Sequence, residues 1–513
     1  MAKRKPARAS LSFPPVLLCF VCCAVVMAAA VYIVNRTGNT LRFGDAEAHL
    51  NIARRIVDSR TPGWGQVGTT WLPLPHLLII PFVRIDSLWQ SGLAGAIPSA
   101  FCMALAATFL FATVRRVLDT PAAIAATGVF LLNPNALYLG CIPMTESVFF
   151  ACFFSLLYAT VLFQATNSWF AIAGAGIAAF AGTWTRYEAW FLLPFAAVFL
   201  LAKAASNRWA KAVVFSALAG LGPALWLLHN WWYFADPIYF YRGPYSALAI
   251  QGGAHYPGQG DWFVAAKYFF TAAELVCGIP VLLLGTVGVF AALYRKAWWP
   301  VLVMLLPPVF YVWSIHSSGT PIHVPTLPPH SFYNTRYALA LLPIAALGCA
   351  GLARVWKPLA WIAIVVSLIP FALHPATPPL TWQEADNNSR ARLEWTRLAA
   401  AYLRANAAPH DTYLTVTGDA TGIYRTNAIP LRKTLTGDMG IEYVLATARP
   451  DLFLHENWAV VTGGDQLQTL LDKARLKGPR YDLASRIYVK DGPVLEIYKL
   501  YEYPVHETSR RPQ

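Results

Sequence analysis

Pro14-Pro15-Val16-Leu17-Leu18-Cys19-Phe20-Val21-Cys22-Cys23-Ala24-Val25-Val26-Met27-Ala28-Ala29-Ala30-Val31-Tyr32-Ile33-Val34 runs without a single charged group. An apolar run of about 20 residues is long enough to cross the hydrocarbon of a bilayer as a helix. It follows Lys3, Arg4, Lys5 and Arg8 and precedes no small-residue cleavage site, so it reads as a retained anchor. Ten more apolar runs lie at about 92–114, 121–139, 147–164, 169–184, 187–203, 212–232, 272–293, 298–315, 337–353 and 358–374. Eleven spans predict a mainly α, polytopic helical membrane protein. The run at 72–83 is short and carries Pro73-Leu74-Pro75, which predicts a re-entrant or interfacial piece.

Composition agrees. Of 513 residues, 57% are apolar and 13% charged, about half the charged share of a soluble domain. The net charge is +14, which on its own would suggest a nucleic-acid partner. Its distribution excludes that reading. With the N-terminus inside, the short inner loops collect 13 basic residues against one acid, Asp119. This is the Lys/Arg asymmetry of a membrane topology. It predicts a cytoplasmic N-terminus and places residues 375–513, with 17 basic and 16 acidic groups, on the outer side. The eight cysteines all lie in or near spans and read as small buried apolar residues.

Two domains follow from this pattern. Residues 1–374 form a transmembrane module with outer loops at 35–91, 233–271 and 316–336. Residues 375–513 form a soluble α/β domain, with helices near 389–406, 440–448 and 466–476 and strands at 412–417, 458–462, 484–490 and 493–499. Lys490-Asp491-Gly492 suits a hairpin turn. Thr417-Gly418-Asp419 and Gly463-Gly464-Asp465 form neither a dinucleotide-binding nor a P-loop pattern.

Only ten acids occur in residues 1–374, and an acid near a membrane is costly enough to imply a use. The first loop carries Asp45-Ala46-Glu47-Ala48-His49 ahead of Leu50, Ala53, Ile56 and Val57. That stripe predicts an amphipathic helix lying on the membrane surface. Asp45 at its start suits an N-cap or a base at the mouth of a cavity. Thr185-Arg186-Tyr187-Glu188 sits at the junction of two spans. A guanidinium there suits a phosphate, which it grips through parallel hydrogen bonds, as well as an interfacial ion pair. Arg336-Tyr337 at the start of a later span offers a second such cation. In Pro143-Met144-Thr145-Glu146, Thr145 suits a cap and Glu146 the first turn. His316, His323 and His330 are too widely spaced for a zinc signature.

These stretches, in this order, resemble the GT-C glycosyltransferases, closest to the protein-mannosyltransferase and lipid A aminoarabinose-transferase group (family 39-like). The residues that carry the resemblance are Asp45-Ala46-Glu47, Ile52-Ala53-Arg54, Pro73-Leu74-Pro75-His76, Asn133-Pro134, Pro143-Met144-Thr145-Glu146, Arg186-Tyr187-Glu188 and Arg336-Tyr337. They span roughly residues 14–374. The resemblance implies an integral membrane enzyme, in a bacterial inner membrane with a periplasmic C-terminal domain. It implies membrane lipid and a polyprenyl-phosphate sugar donor as partners, and an acceptor of unknown class (protein, lipid or glycan) on the outer face. It assigns the general base to Asp45, with Glu47 second, and the donor phosphate to Arg186 and Arg336. His49, His76, Glu146, Tyr187, Glu188 and Tyr337 become supporting residues. The first-loop pair is Asp-x-Glu where the family pattern has adjacent Asp-Glu. No metal-ligand set is evident, although Asp45 with Glu47 offers a place for a divalent ion. The rival readings are a lipid-linked sugar flippase or transporter and a glycan polymerase or ligase. A transporter would place ionisable groups mid-span, whereas the ten acids fall at span ends or in loops.

Overall fold

A computed structural model describes residues 13–502 apart from 252, 254, 318, 375, 417–419, 438–439 and 463–465. The basic residues Lys3, Arg4, Lys5 and Arg8 and the stretches Thr417-Gly418-Asp419 and Gly463-Gly464-Asp465 lie outside the described residues. The chain is mainly helical, as its composition predicts, and a small sheet is confined to the C-terminal part.

Each of the eleven predicted spans contains a helix, but the count itself is not reproduced. Among the described residues, six helices are long and apolar enough to cross a membrane: Pro14–Arg36, Leu93–Val117, Glu146–Thr166, Arg208–Phe234, Trp298–Ser317 and Thr335–Val355. The number rises to eight if each of two bent pairs is one span. Thr120–Leu131 and Pro134–Gly140 meet at 70°, and Trp262–Cys277 and Ile279–Tyr294 at 106°. Trp169–Thr183, Glu188–Lys203 and Leu359–Ala372 are shorter. The bends have local causes. Pro134 has no N–H to continue the first helix, and Asn133 caps the second through its side chain. Gly278, at φ +88°, makes the sharper turn ahead of Pro280, a backbone region open to glycine.

The chain divides into two compact units. The first comprises residues 1–40, 69–75 and 96–384. Its helices approach most closely where Gly285 and Gly288 of Ile279–Tyr294 face Gly348 and Gly351 of Leu342–Val355. A Cβ on Gly288 or Gly348 would overlap the facing carbonyl, so small residues here set the backbone separation.

The second unit comprises residues 41–68, 76–95 and 385–513. Its sheet has the order β2-β1-β3-β5-β4, with β1 Tyr413–Thr415, β2 Thr434–Leu435, β3 Trp458–Thr462, β4 Arg480–Ile487 and β5 Leu495–Glu502. β1 pairs in parallel with β2 and β3, whereas β5 runs antiparallel to β3 and β4. The hairpin turns at Asp491, which takes φ +61°. The predicted helix at 389–406 starts earlier, at Leu380. Among the described residues, four small elements of this part escape the sequence pattern: the helix Thr421–Thr426, the single turn Leu431–Lys433, strand β2 and the helix Pro450–Phe453.

The first-loop helix spans Gly44–Val57. Its apolar stripe does not lie on a membrane surface. Leu50 and Ala53 belong to one buried cluster with Trp89, Trp395, Ala399, Tyr424, Trp458 and Ile497. The opposite face is buried as well, with Arg54 paired to Asp58 and Asp86 and Asp58 to Arg432. A helix whose polar face finds charged partners inside the protein needs no aqueous side.

Candidate active site

In the first unit, a buried network forms around Arg186. The chain leaves Trp169–Thr183, turns through Trp184-Thr185-Arg186-Tyr187 and enters the helix at Glu188. This turn puts Arg186 beside the start of Glu146–Thr166. Its Nε donates to Glu188 Oε1 at 2.5 Å. Its Nη1 donates to Glu146 Oε1 at 2.9 Å and to the Thr145 hydroxyl, and Nη2 donates to the Tyr311 hydroxyl at 2.7 Å. Tyr311 in turn donates to Glu188 at 2.6 Å. Thr145 stands at the N-cap position but makes no cap bond with its side chain, because its oxygen serves Arg186.

Arg336 joins the same network. It lies 3.2 Å from Glu146 through Nε and 3.7 Å from Glu384 through Nη1. Tyr337 stacks on Tyr311 and has the two guanidinium carbons at 5.2 and 5.0 Å from its ring centre. So Arg186, Arg336, Glu146, Glu188 and Tyr337 do come together. Tyr187 points elsewhere. Its ring stacks on Phe240 and its hydroxyl accepts from Trp226.

Glu384 was not among the predicted residues. It accepts from the backbone N–H of Asn334 at 2.8 Å and of Thr335 at 2.9 Å, so it fixes the turn that presents Arg336. Burial pushes its carboxyl above the usual range, against the pull of Arg336 and the Thr335 and Asn334 bonds. Three carboxylates thus face two guanidiniums. Nothing local in the sequence announces Glu384, because it meets Arg336 from 48 positions away. Glu146 Oε2 is buried with no hydrogen-bond partner among the described residues.

In the second unit, Asp45 and Glu47 sit in the first turn of the first-loop helix. The helix starts earlier than the sequence pattern predicts, with Phe43 as N-cap. Asp45 therefore lies within the first turn and is not the cap. Two residues apart in a helix are turned by roughly 200°, so the carboxylates of Asp45 and Glu47 diverge. Asp45 is half-buried. Glu47 is 2% exposed and gives one oxygen to Arg392 and the other to Arg425, the latter at 3.0 Å. A shared divalent ion does not fit this arrangement, since the carboxylates diverge and Glu47 already faces two cations. Among the described residues no group of three or more His, Cys, Asp or Glu could hold a metal.

His49 and His76 form a buried pair, Nδ1 to Nε2, at 2.9 Å. Burial holds His76 well below its ordinary protonation range, helped by His49 and Arg55. Only one of the two facing nitrogens can carry the shared proton, so the other accepts it as a neutral ring nitrogen.

Residues 73–232 match the family described as dolichyl-phosphate-mannose-protein mannosyltransferase. The matched stretch contains His76, Glu146, Arg186 and Glu188, and lies between Asp45 and Arg336. No curated protein matches the chain. Among solved structures, apo ArnT from Cupriavidus metallidurans aligns at 13% identity over 92% of this chain and 97% of that one, with a TM-score of 0.57. The apo oligosaccharyltransferase of Archaeoglobus fulgidus aligns at 14% identity over 96% of this chain and 75% of that one, with a TM-score of 0.47. The fold is that of ArnT, and the resemblance to the GT-C glycosyltransferases of the family 39 group is borne out.

Proposed function

We propose that this GT-C-type membrane protein, related to the protein-mannosyltransferase group, transfers a sugar from a polyprenyl-phosphate donor to an acceptor on the outer face of the membrane. The observation that carries the reading is the family match over residues 73–232, which includes Arg186 and its partners Thr145, Glu146 and Glu188. In this reading the acceptor hydroxyl oxygen attacks the anomeric carbon, and the bond from that carbon to the phosphate oxygen breaks. The hydroxyl proton passes to Asp45, and the electron pair leaves with polyprenyl phosphate. A phosphate leaves without strong help from an acid, so one base and fixed cations are enough.

Arg186 and Arg336 supply those cations. Glu146, Glu188 and Glu384 hold the two guanidiniums in place and temper their charge, and the aromatic rings of Tyr311 and Tyr337 back them. Preorganised charge of this kind costs no rearrangement when the leaving group develops its own. Glu47 is the weaker candidate for the base, because both its oxygens are already bonded to arginines. The protein sits in a bacterial inner membrane with its C-terminal domain in the periplasm.

Membranes containing the protein, supplied with a radiolabelled polyprenyl-phosphate sugar, test this. Label is expected to move to a membrane acceptor with release of polyprenyl phosphate. Movement of intact donor across the bilayer, with no release, would instead establish the transporter reading.

A further inference from the structure

Glu47 is held in a way that bears on its neighbour. The guanidinium of Arg392 donates through Nη1 to Glu47 Oε2 and through Nη2 to the backbone carbonyls of Leu41 and Arg42, at 3.2 and 2.9 Å. These contacts bracket Asp45, with two ahead of it in the chain and one behind. Arg425 holds the other oxygen of Glu47 and also donates to the carbonyl of Gln90. Asp386, on the same helix as Arg392, pairs with Arg42.

A second observation is independent of the ion pairs. Gly422 opens the floor on which Glu47 rests. A Cβ there would come within 2.9 Å of Glu47 Oε1 and 3.1 Å of the Thr396 methyl. A seat shaped by a missing side chain, with both carboxylate oxygens held, fixes the first turn of the helix in rotation as well as in position. The carboxylate of Asp45 points away from this seat by roughly half a turn, so its direction is set by how Glu47 is anchored.

We propose that the C-terminal domain positions Asp45 through this grip on Glu47, with Arg392 and Arg425 as positioning residues and Gly422 as the clearance that lets Glu47 seat. The inference rests on Asp45 being the base of the proposed transfer. It explains why the first loop carries Asp-x-Glu, since the spacing sends one carboxylate outward and the other into the domain. It also gives the C-terminal domain a part in the reaction without any contact to substrate.

The test uses full-length protein in membranes with the radiolabelled polyprenyl-phosphate sugar, titrated over donor concentration and pH. Gly422→Ala and Arg425→Gln are expected to lower kcat by about 10- to 100-fold, as for a group displaced by roughly an ångström. The donor KM and the acid limb of the pH profile should stay as in wild type. Arg392→Lys keeps a cation against Glu47 and is expected to retain most of the kcat that Arg392→Gln loses. Abundance in the membrane, read in parallel, separates a lost protein from a slowed one, and Arg392→Lys carries the test if Gly422→Ala and Arg425→Gln are not made. Wild-type kcat in Gly422→Ala and Arg425→Gln, with Asp45→Asn inactive, would overturn the positioning role alone. Wild-type kcat in Asp45→Asn would overturn the base assignment on which it rests.

Discussion

Arg186 shows how a single side chain sets the character of this site. Its donors reach two carboxylates, a hydroxyl and a phenol, all inside the protein. Removing one partner of a buried ion pair costs about 3–5 kcal/mol, because the other charge is left without compensation. Arg186→Ala is therefore expected to lower the thermal midpoint of the purified protein sharply, and Arg186→Lys to fold better while raising the donor KM at least about tenfold. A lysine is a point charge and lacks the planar fork that grips a phosphate. An unchanged donor KM in Arg186→Lys would remove Arg186 from the donor site. His76 gives a prediction in pH. Its folded form holds the neutral ring, whereas the unfolded chain takes up a proton as pH falls through about 6.5. The unfolded state then binds more protons, so stability is complete above that pH and declines below it. The thermal midpoint should fall between pH 7.5 and 5.5, and His76→Gln should flatten that slope. The same slope in both proteins would assign the acid sensitivity to other groups.

At the scale of elements, close helix packing is as decisive as charge. Gly288→Leu is expected to force Ile279–Tyr294 and Leu342–Val355 apart, since even a Cβ at that position meets the Gly348 carbonyl. Loss of folded protein from detergent extracts would report it, and normal yield and midpoint would contradict it. The apolar runs that make these helices were legible because lipid demands an uninterrupted stretch of apolar side chains. The bends were not placed, although their causes stand in the chain as Asn133-Pro134 and Gly278-Ile279-Pro280. Hydropathy averages over the turn where a helix breaks. Strand β3 and the β4–β5 hairpin were legible from alternating apolar residues and a turn, whereas β2, two residues long, carries too little pattern. The first-loop helix was found, but its surroundings were not. An apolar stripe looks the same whether it meets lipid or Trp395 and Trp458. Arg186, Glu146 and Glu188 were picked out by their rarity near spans. Glu384, Arg392 and Arg425 were hidden among the many charges of the C-terminal domain, where sequence gives no reason to prefer one.

Over the whole molecule, the distribution of the +14 charge is what supports the proposed orientation. The proposed topology of eleven spans would put the two chain ends on opposite sides, so a periplasmic reporter enzyme is expected to be active when fused at the C-terminus and inactive at the N-terminus. Activity at both ends, or at neither, would require an even count and a different assignment of the bent pairs. The proposed transfer turns on the half-buried carboxylate of Asp45, to which it assigns the acceptor proton. The direct measurement is the rate of sugar release from a radiolabelled polyprenyl-phosphate donor in membranes containing Asp45→Asn at wild-type abundance. A fall of about 10²- to 10⁴-fold, the usual contribution of a general base, is the predicted result. Transfer at the wild-type rate would contradict it.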